Sequence, residues 1–512
     1  MAARGQYVRF STTLDVAANR AVHRLRRRLL AGGVQGIRDL YPSYGTLYVE
    51  WDDALVGDLD VERWLDDAIA RGDDDDDRPI GRDVELPISF DGVDLPDVAA
   101  ALGLDTAAVI SALTEPIYHL FAIGAAPGQP FLGPNAQTLT IARRTDPRIA
   151  VEPHSLAIAG RQTTVYPVLM PGGWHVVGTA LEPVYDPHRA EPFLFAAEDR
   201  ARLVAATGPM PSAIAPLDLL PGAPRLPALK VDQAGTLDLL VDGGRLNAAH
   251  LGMAQTGPLD RAAARLANAL VGNPWDAPLI ETTLIGPSLT ALRTIVIAVA
   301  GAGAALEVDG EPVGSETVAL RAGDRIRVRP TGDGVRGYLA IAGGIESEAF
   351  LGSVSVDRRG LVGRSLRDGD VLGVAREVAT GARLSAVQLR PDDARPIRLV
   401  PGPQYSRAAG EALVAGAFSV ATGDRMGVRL DGPEVPGGEL LSESPPLGAV
   451  QITTGGTPII LLNDRQRVAG YDKPAVVVAA DLPRIGQLRP GQPVRFVFAD
   501  GPAPIWYRDV DA

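Results

Sequence analysis

At 512 residues the chain exceeds what one hydrophobic core ordinarily organises, so roughly three or four domains are expected. Its 46% hydrophobic and 22% charged residues are the composition of a soluble globular protein, and a formal charge of −13 argues against general nucleic-acid binding, which needs a basic surface. The absence of cysteine removes disulfides, thiolate metal sites and a cysteine nucleophile together.

Only Lys230 and Lys473 are lysines, so no Gly-x-x-x-x-Gly-Lys-Ser/Thr loop can be written and a nucleotide would have to bind without a P-loop. No apolar stretch reaches the roughly 18 residues of a membrane span, and the opening "MAARGQYVRFSTTLD" has no apolar signal region. The expectation is a cytoplasmic protein with no membrane and no nucleic-acid partner.

Along the chain, Val16, Val22, Leu25, Leu29 and Leu30 recur at helical spacing across 14–32. A strand at "TLYVEW" and a helix at "VERWLDDAIARG" follow. The acidic run at 73–77 reads as a solvated linker, since blocks of like charge repel, and it closes a small α/β domain over 1–82. Two short helices, "LPDVAAALG" and "DTAAVISALTE", then lead into short apolar strands separated by Gly and Pro, a barrel over 83–206. Residues 207–227 are proline-rich and read as a linker. Beyond it, 228–378 and 396–500 alternate short strands with turn residues, interrupted by one helix at "LDRAAARLANALVG". The phrases "LRAGDRIRV" (320–328), "LRDGDVLGV" (366–374) and "LRPGQPVRF" (488–496) repeat a tight turn feeding a strand, which points to duplication of one barrel type.

Three clusters carry chemistry. In "NDRQRVAGYDKP" Asp464 can act as a general base or hold a ligand amide, Gln466 offers donor and acceptor, and Tyr471 and Lys473 can donate to a developing oxyanion. That mixture suits a ligand presenting both N–H and C=O; it equally suits a polar turn capping barrel ends. In "QTGPLDRAAARLAN", Pro258 is expected at the first helical position, with Asp260 and Asn268 near one face. There, and at Glu281, a structural role competes with a ligand contact. In "AGRQTTVYPVLMPGGWH", Gln162, Thr163 and Tyr166 are candidate ligand contacts, and Trp174 is either a stacking platform or a core residue. No histidines pair at metal spacing, so no metal is expected.

The phrases "GPLDRAAARLANALVGNP", "IETTLIGPSL", "GYLAIAGGI", "LGSVS", "GDRMGVRLDGP", "LGAVQI" and "PIILLNDRQRVAGYDKPAVVVAADL" together resemble the C subunit of bacterial 5-oxoprolinase, also called allophanate hydrolase subunit 2. "SLAIAGRQTTVYPVLMPGGWHVVG", "NRAVHRLRRRLL" and "YPSYGTLYVEW" resemble the B subunit, in the order of fused versions, and the carboxyltransferase region of urea carboxylase is similar to both. The resemblance implies a mainly β fold with an α/β N-terminal domain and cyclophilin-like β-barrels in tandem. It also implies an enzyme component acting on a lactam, urea or amide, and adds Gln451, Asp481 and Gln487 to the candidate substrate contacts. No cofactor is expected to be bound covalently; ATP or carboxybiotin would come through a partner, either a hydrolase of the A-subunit type or a biotin carboxylase and carrier, and a homo-oligomer stays open. A diverged enzyme of specialised metabolism and a non-catalytic ligand-binding or histidine-kinase-binding regulator are the alternatives. The departures favour them: the phrase "GFxPGFxYL" reads "GAAPGQPFLG", with Ala125 and Gln129 at the aromatic positions, Leu113 replaces a histidine, "TVQDLGR" reads "LLVDGGR", and "GGY" reads "AGY".

Overall fold

The computed structural model describes residues 4–53, 55–71, 81–313, 317–378, 395–501, 504 and 506–510. The acidic run at 73–77 and most of the break near 378–396 lie outside the described residues.

Strands β1 (Arg4–Arg9), β2 (Ile37–Pro42) and β3 (Thr46–Trp51) pack against helices α1 (Val16–Ala31) and α2 (Asp58–Ala70). Asp15 starts α1 by accepting from the amides of Ala17 and Ala18. The helix buries Val22, Leu25 and Leu29, whereas Leu30, expected on the same face, is 53% exposed. The sheet order is β2, β3, β1 and then a strand from the other end of the chain, Tyr507–Asp509, which runs parallel to β1. The domains expected from sequence stop at residue 500 and leave this strand out. In the structure the Tyr7 and Tyr507 rings stack at 5.0 Å and Arg9 pairs with Asp509.

Seven strands form the next unit: β4 (Asp83–Ser89), β5 (Ile117–Ile123), β6 (Pro130–Gly133), β7 (Ser155–Ala159), β8 (Gln162–Val165), β9 (His175–Ala180) and β10 (Arg200–Ala205). They close in the order β9-β4-β10-β5-β6-β8-β7, and the pairing of β9 with β7 removes both sheet edges. Helices α3 (Leu95–Leu102) and α4 (Thr106–Thr114) seal the barrel, burying Val98, Val109 and Leu113 in its core.

In the second half, a six-stranded and a five-stranded sheet share one core that includes Val231, Leu240, Ile280, Ile297 and Leu339. Helix α5 (Arg261–Leu270) lies on it. Pro258 is not its first residue: Asp260 is the N-cap, accepting from the Ala263 amide at 3.0 Å, which moves the helix start three residues along. An eight-stranded sheet around Leu399, Val428, Val450, Ile460 and Val477 completes the fold. Helix α6 (Arg407–Ala415), capped by Ser406, is absent from the sequence expectation because its Ala/Gly-rich sequence lacks a strong apolar stripe.

The three repeated phrases share their turn chemistry. Gly323, Gly369 and Gly491 all have positive φ, 97°, 89° and 78°. In each turn the side chain one residue on, Asp324, Asp370 or Gln492, accepts from the amide of the arginine, Arg321, Arg367 or Arg489. The protein is mainly β, with barrels in tandem behind an α/β unit. Among the described residues no single helix is long and apolar enough to cross a membrane.

Candidate functional site

The first barrel docks on the second half through the loop 124–129. The Gly128 amide donates to the Leu251 carbonyl at 2.9 Å, and the Tyr185 hydroxyl to the Gly360 carbonyl at 2.6 Å. A Cβ on Gly124 would lie 2.2 Å from Val468, so only glycine permits this approach. Segments 250–257, 357–360 and 463–468 therefore meet at the foot of that loop.

At their junction lies a network of buried charge. Arg425 donates to both oxygens of Asp464, at 2.9 and 3.1 Å, to the Gly257 carbonyl at 2.7 Å, and to Glu281. Glu281 is 1% exposed and also accepts from the Leu259 amide at 2.9 Å and the Tyr338 hydroxyl at 2.8 Å. Burial would raise its pKa, but Arg425 and Arg336 outweigh that and hold it below the ordinary range. Asp464 goes the other way. Burial, with Asp357 and Glu281 nearby, overcomes Arg425 and pushes its carboxyl up to about 6. Its side chain remains 13% exposed. The Asn463 amide donates to the Pro258 carbonyl at 3.0 Å, joining the "NDRQ" and "QTGPLD" clusters directly.

Asp464 and Arg425 are each flanked by residues that line a cavity of about 400 Å³: Arg465 and Gln466 on one side, Asp424 and Met426 on the other, with Gln451 in the wall. Donors and acceptors in one concave site suit a planar amide.

Sequence reasoning missed Arg425, Asp357, Arg359 and Gln255. Asp357, 2% exposed, accepts from the Gly360 amide at 2.8 Å. Arg359 lies with Nη1 2.7 Å from the sulfur of Met426, which lines the cavity. Gln255 is 2% exposed, and neither side-chain amide atom has a partner among the described residues. "GDRMG" carried the signal for Arg425, because a carboxylate expected between apolar strands requires a cation.

The remaining candidates are distributed elsewhere. Lys473 is fully buried, with Nζ 3.1 Å from both Glu443 and the Tyr471 carbonyl; its ammonium is held internally and does not face the cavity. Tyr471 is half-buried in a short strand opposite Glu439. Gln487 accepts from the Arg336 amide at 2.9 Å and donates to Asp260 at 2.9 Å, strapping the two sheet units of the second half together. Asn268 donates to the Ala277 carbonyl at 2.9 Å, and Asp481 pairs with Arg398 at 2.7 Å, so both serve structure. In the first barrel Gln162 accepts from the Tyr44 hydroxyl at 3.2 Å, Thr163 donates to Asn135 at 2.8 Å, and Tyr166 is buried. Trp174 packs edge-on against Phe131 in the core rather than offering a platform. Among the described residues no three His, Asp or Glu side chains are grouped to hold a metal.

Residues 1–195 match the carboxyltransferase domain, subdomain C and D, and residues 251–498 match the carboxyltransferase domain, subdomain A and B. The second half is 35% identical to the C subunit of 5-oxoprolinase from Escherichia coli (strain K12), over 52% of this chain and 90% of that protein. The first half is 35% identical to the B subunit of 5-oxoprolinase from Escherichia coli O157:H7, over 28% of this chain and 65% of that protein. A crystal structure of TTHA0988 superimposes with a TM-score of 0.92 at 45% identity, covering 96% of this chain and 99% of that one. Fold and site thus define a protein of carboxyltransferase-domain architecture. The chain belongs to the family of the B and C subunits of 5-oxoprolinase, with both halves fused in one polypeptide.

Proposed function

We propose that the chain is one component of an enzyme that opens or carboxylates a small lactam, urea or other amide, working with a separate partner that supplies the ATP-driven or carboxybiotin chemistry. The observation that carries this reading is Asp464: a carboxyl near pKa 6, pinned bidentately by Arg425, whose chain neighbours Arg465 and Gln466 line the cavity together with Gln451. In that role the two glutamines orient the substrate amide, and ionised Asp464 accepts its N–H proton. Arg359 and Arg465 offset negative charge that develops on the carbonyl oxygen. Glu281 and Asp260 hold the second half rigid around them. Relatives of each half are named as 5-oxoprolinase subunits, which favours a lactam among these substrates.

The test is calorimetry of the full chain with 5-oxoproline, urea and acetamide, followed by turnover with ATP and a partner hydrolase of the A-subunit type. Binding that is weakened by Gln466→Ala, and turnover that is lost in Asp464→Asn, are the expected outcomes. Binding indifferent to Gln466→Ala would move the site elsewhere.

A non-catalytic regulator is the second reading, favoured by the first barrel. Leu113 is fully buried in its core, and Gln129, 3% exposed, donates to Thr164, so two of the divergent positions have been absorbed into structure. Ligand binding without turnover in the presence of the partner would select it.

A further inference from the structure

A second cavity, of about 190 Å³, opens between the N-terminal unit and α5, away from the seam between the barrels. Arg38 and Leu55 form one wall; Arg261 and Arg265 of α5, with Trp275 and Leu246, form the other. Its charges do not balance. Arg38 is matched by Asp52 at 2.7 Å. Asp242, also in the wall, is committed to the Ser353 and Ser355 hydroxyls and the Val354 amide. Glu50 accepts from Tyr41 and faces Arg465 at 3.8 Å. That leaves Arg261 with no carboxylate at ion-pair distance and no hydrogen-bond partner among the described residues. Burial, then Arg38 and Arg265, press its pKa down to about 10 despite Glu50. A planar fork of donors held among like charges favours a bidentate anion.

The rim is apolar. Leu55, Leu246 and Trp275 are 64%, 41% and 57% exposed, which clusters large hydrophobic side chains around one mouth. Arg265 covers one side of Trp275, 4.9 Å from the ring, and a Cβ on Gly243 would come within 3.3 Å of that indole. The volume corresponds to roughly six waters at about 30 Å³ each, which is too small for a nucleotide. We propose that this cavity binds a small organic carboxylate with a flat apolar body, its carboxylate on Arg261 and its body against Trp275. The inference stands apart from the catalytic reading, since none of these side chains touches the Asp464 cavity.

Sodium benzoate is the probe, titrated into the full-length chain by calorimetry and followed by tryptophan fluorescence, with inorganic phosphate as the second arm. Benzoate should saturate one site. Arg261→Gln should weaken it at least tenfold, and Trp275→Ala several-fold, while Gln466→Ala leaves it unchanged. Should Arg261→Gln melt before the assay temperature, Arg265→Gln, at an exposed position, carries the same test with at least a threefold loss. The proposal is overturned if benzoate fails to saturate into the tens of millimolar, if the arginine and tryptophan variants bind it like wild type, or if phosphate binds as tightly as benzoate.

Discussion

Strand β8 of the first barrel and segment 463–468 of the last unit both carry runs of hydrogen-bonding residues, and the fold uses them in opposite ways. In β8 each polar side chain meets a neutral partner: Gln162 meets Tyr44, Thr163 meets Asn135, and Thr164 donates to the Pro130 carbonyl. Such pairs contribute about 1 kcal/mol each and offer little to a ligand. In 463–468 the side chains themselves are charged and buried: Asp464 pairs with Arg425, which also reaches Glu281, while Arg465 and Arg467 donate to the Pro445 and Met253 carbonyls. Buried charge costs several kcal/mol to desolvate and is retained only with close partners, and it is on this segment that the proposed reaction is centred. The same density of polar residues in sequence thus marks a satisfied barrel wall in one place and an electrostatically tense junction in the other.

Breaking the junction should have the largest effect. Arg425→Met leaves Asp464 buried without its cation and Glu281 with Arg336 alone, and should cost about 3–5 kcal/mol, read as a fall in the urea midpoint. Asp464→Asn is expected to leave that midpoint near wild type while lowering turnover about 10²–10⁴-fold. Because only the ionised form of Asp464 accepts a proton, wild-type turnover should rise with pH through about 6 and level off above it. A profile flat across that range would remove Asp464 from the reaction. Gln487→Ala, which strips a partner from Asp260 and from the Arg336 amide, should destabilise by about 1–3 kcal/mol without shifting the pH profile. The smallest effect belongs to β8. Gln162→Ala should change stability by at most about 1 kcal/mol and leave amide binding untouched; a lost calorimetric signal there would reverse the contrast between the two regions.

Much of the architecture was legible because barrels announce themselves locally. Gly323, Gly369 and Gly491 sit in identical turns, and the periodicity of α1 shows in its apolar residues even though Leu30 faces outward. For the candidate site, the sequence shows which residues are polar but not how they are wired together. Of the neighbours of "NDRQ", Tyr471 ends a short strand in register with Glu439, and the Lys473 ammonium just beyond that strand is held by Glu443 and the Tyr471 carbonyl. Arg425 reaches Asp464, and Glu281 and Gly257 reach Arg425, from distant stretches of chain, and no local spacing encodes such a meeting.

The strand Tyr507–Asp509 has a consequence for synthesis. β1 pairs with β3 on one side, and its other edge is covered by residues translated some 500 positions later. At roughly 5–20 residues per second, that edge stays open for roughly 25–100 s on a ribosome. An unpaired edge is a template for the wrong partner. A nascent chain stalled before residue 507 should therefore expose β1 to intermolecular pairing, and the N-terminal unit reaches its final sheet only after residue 509 has emerged.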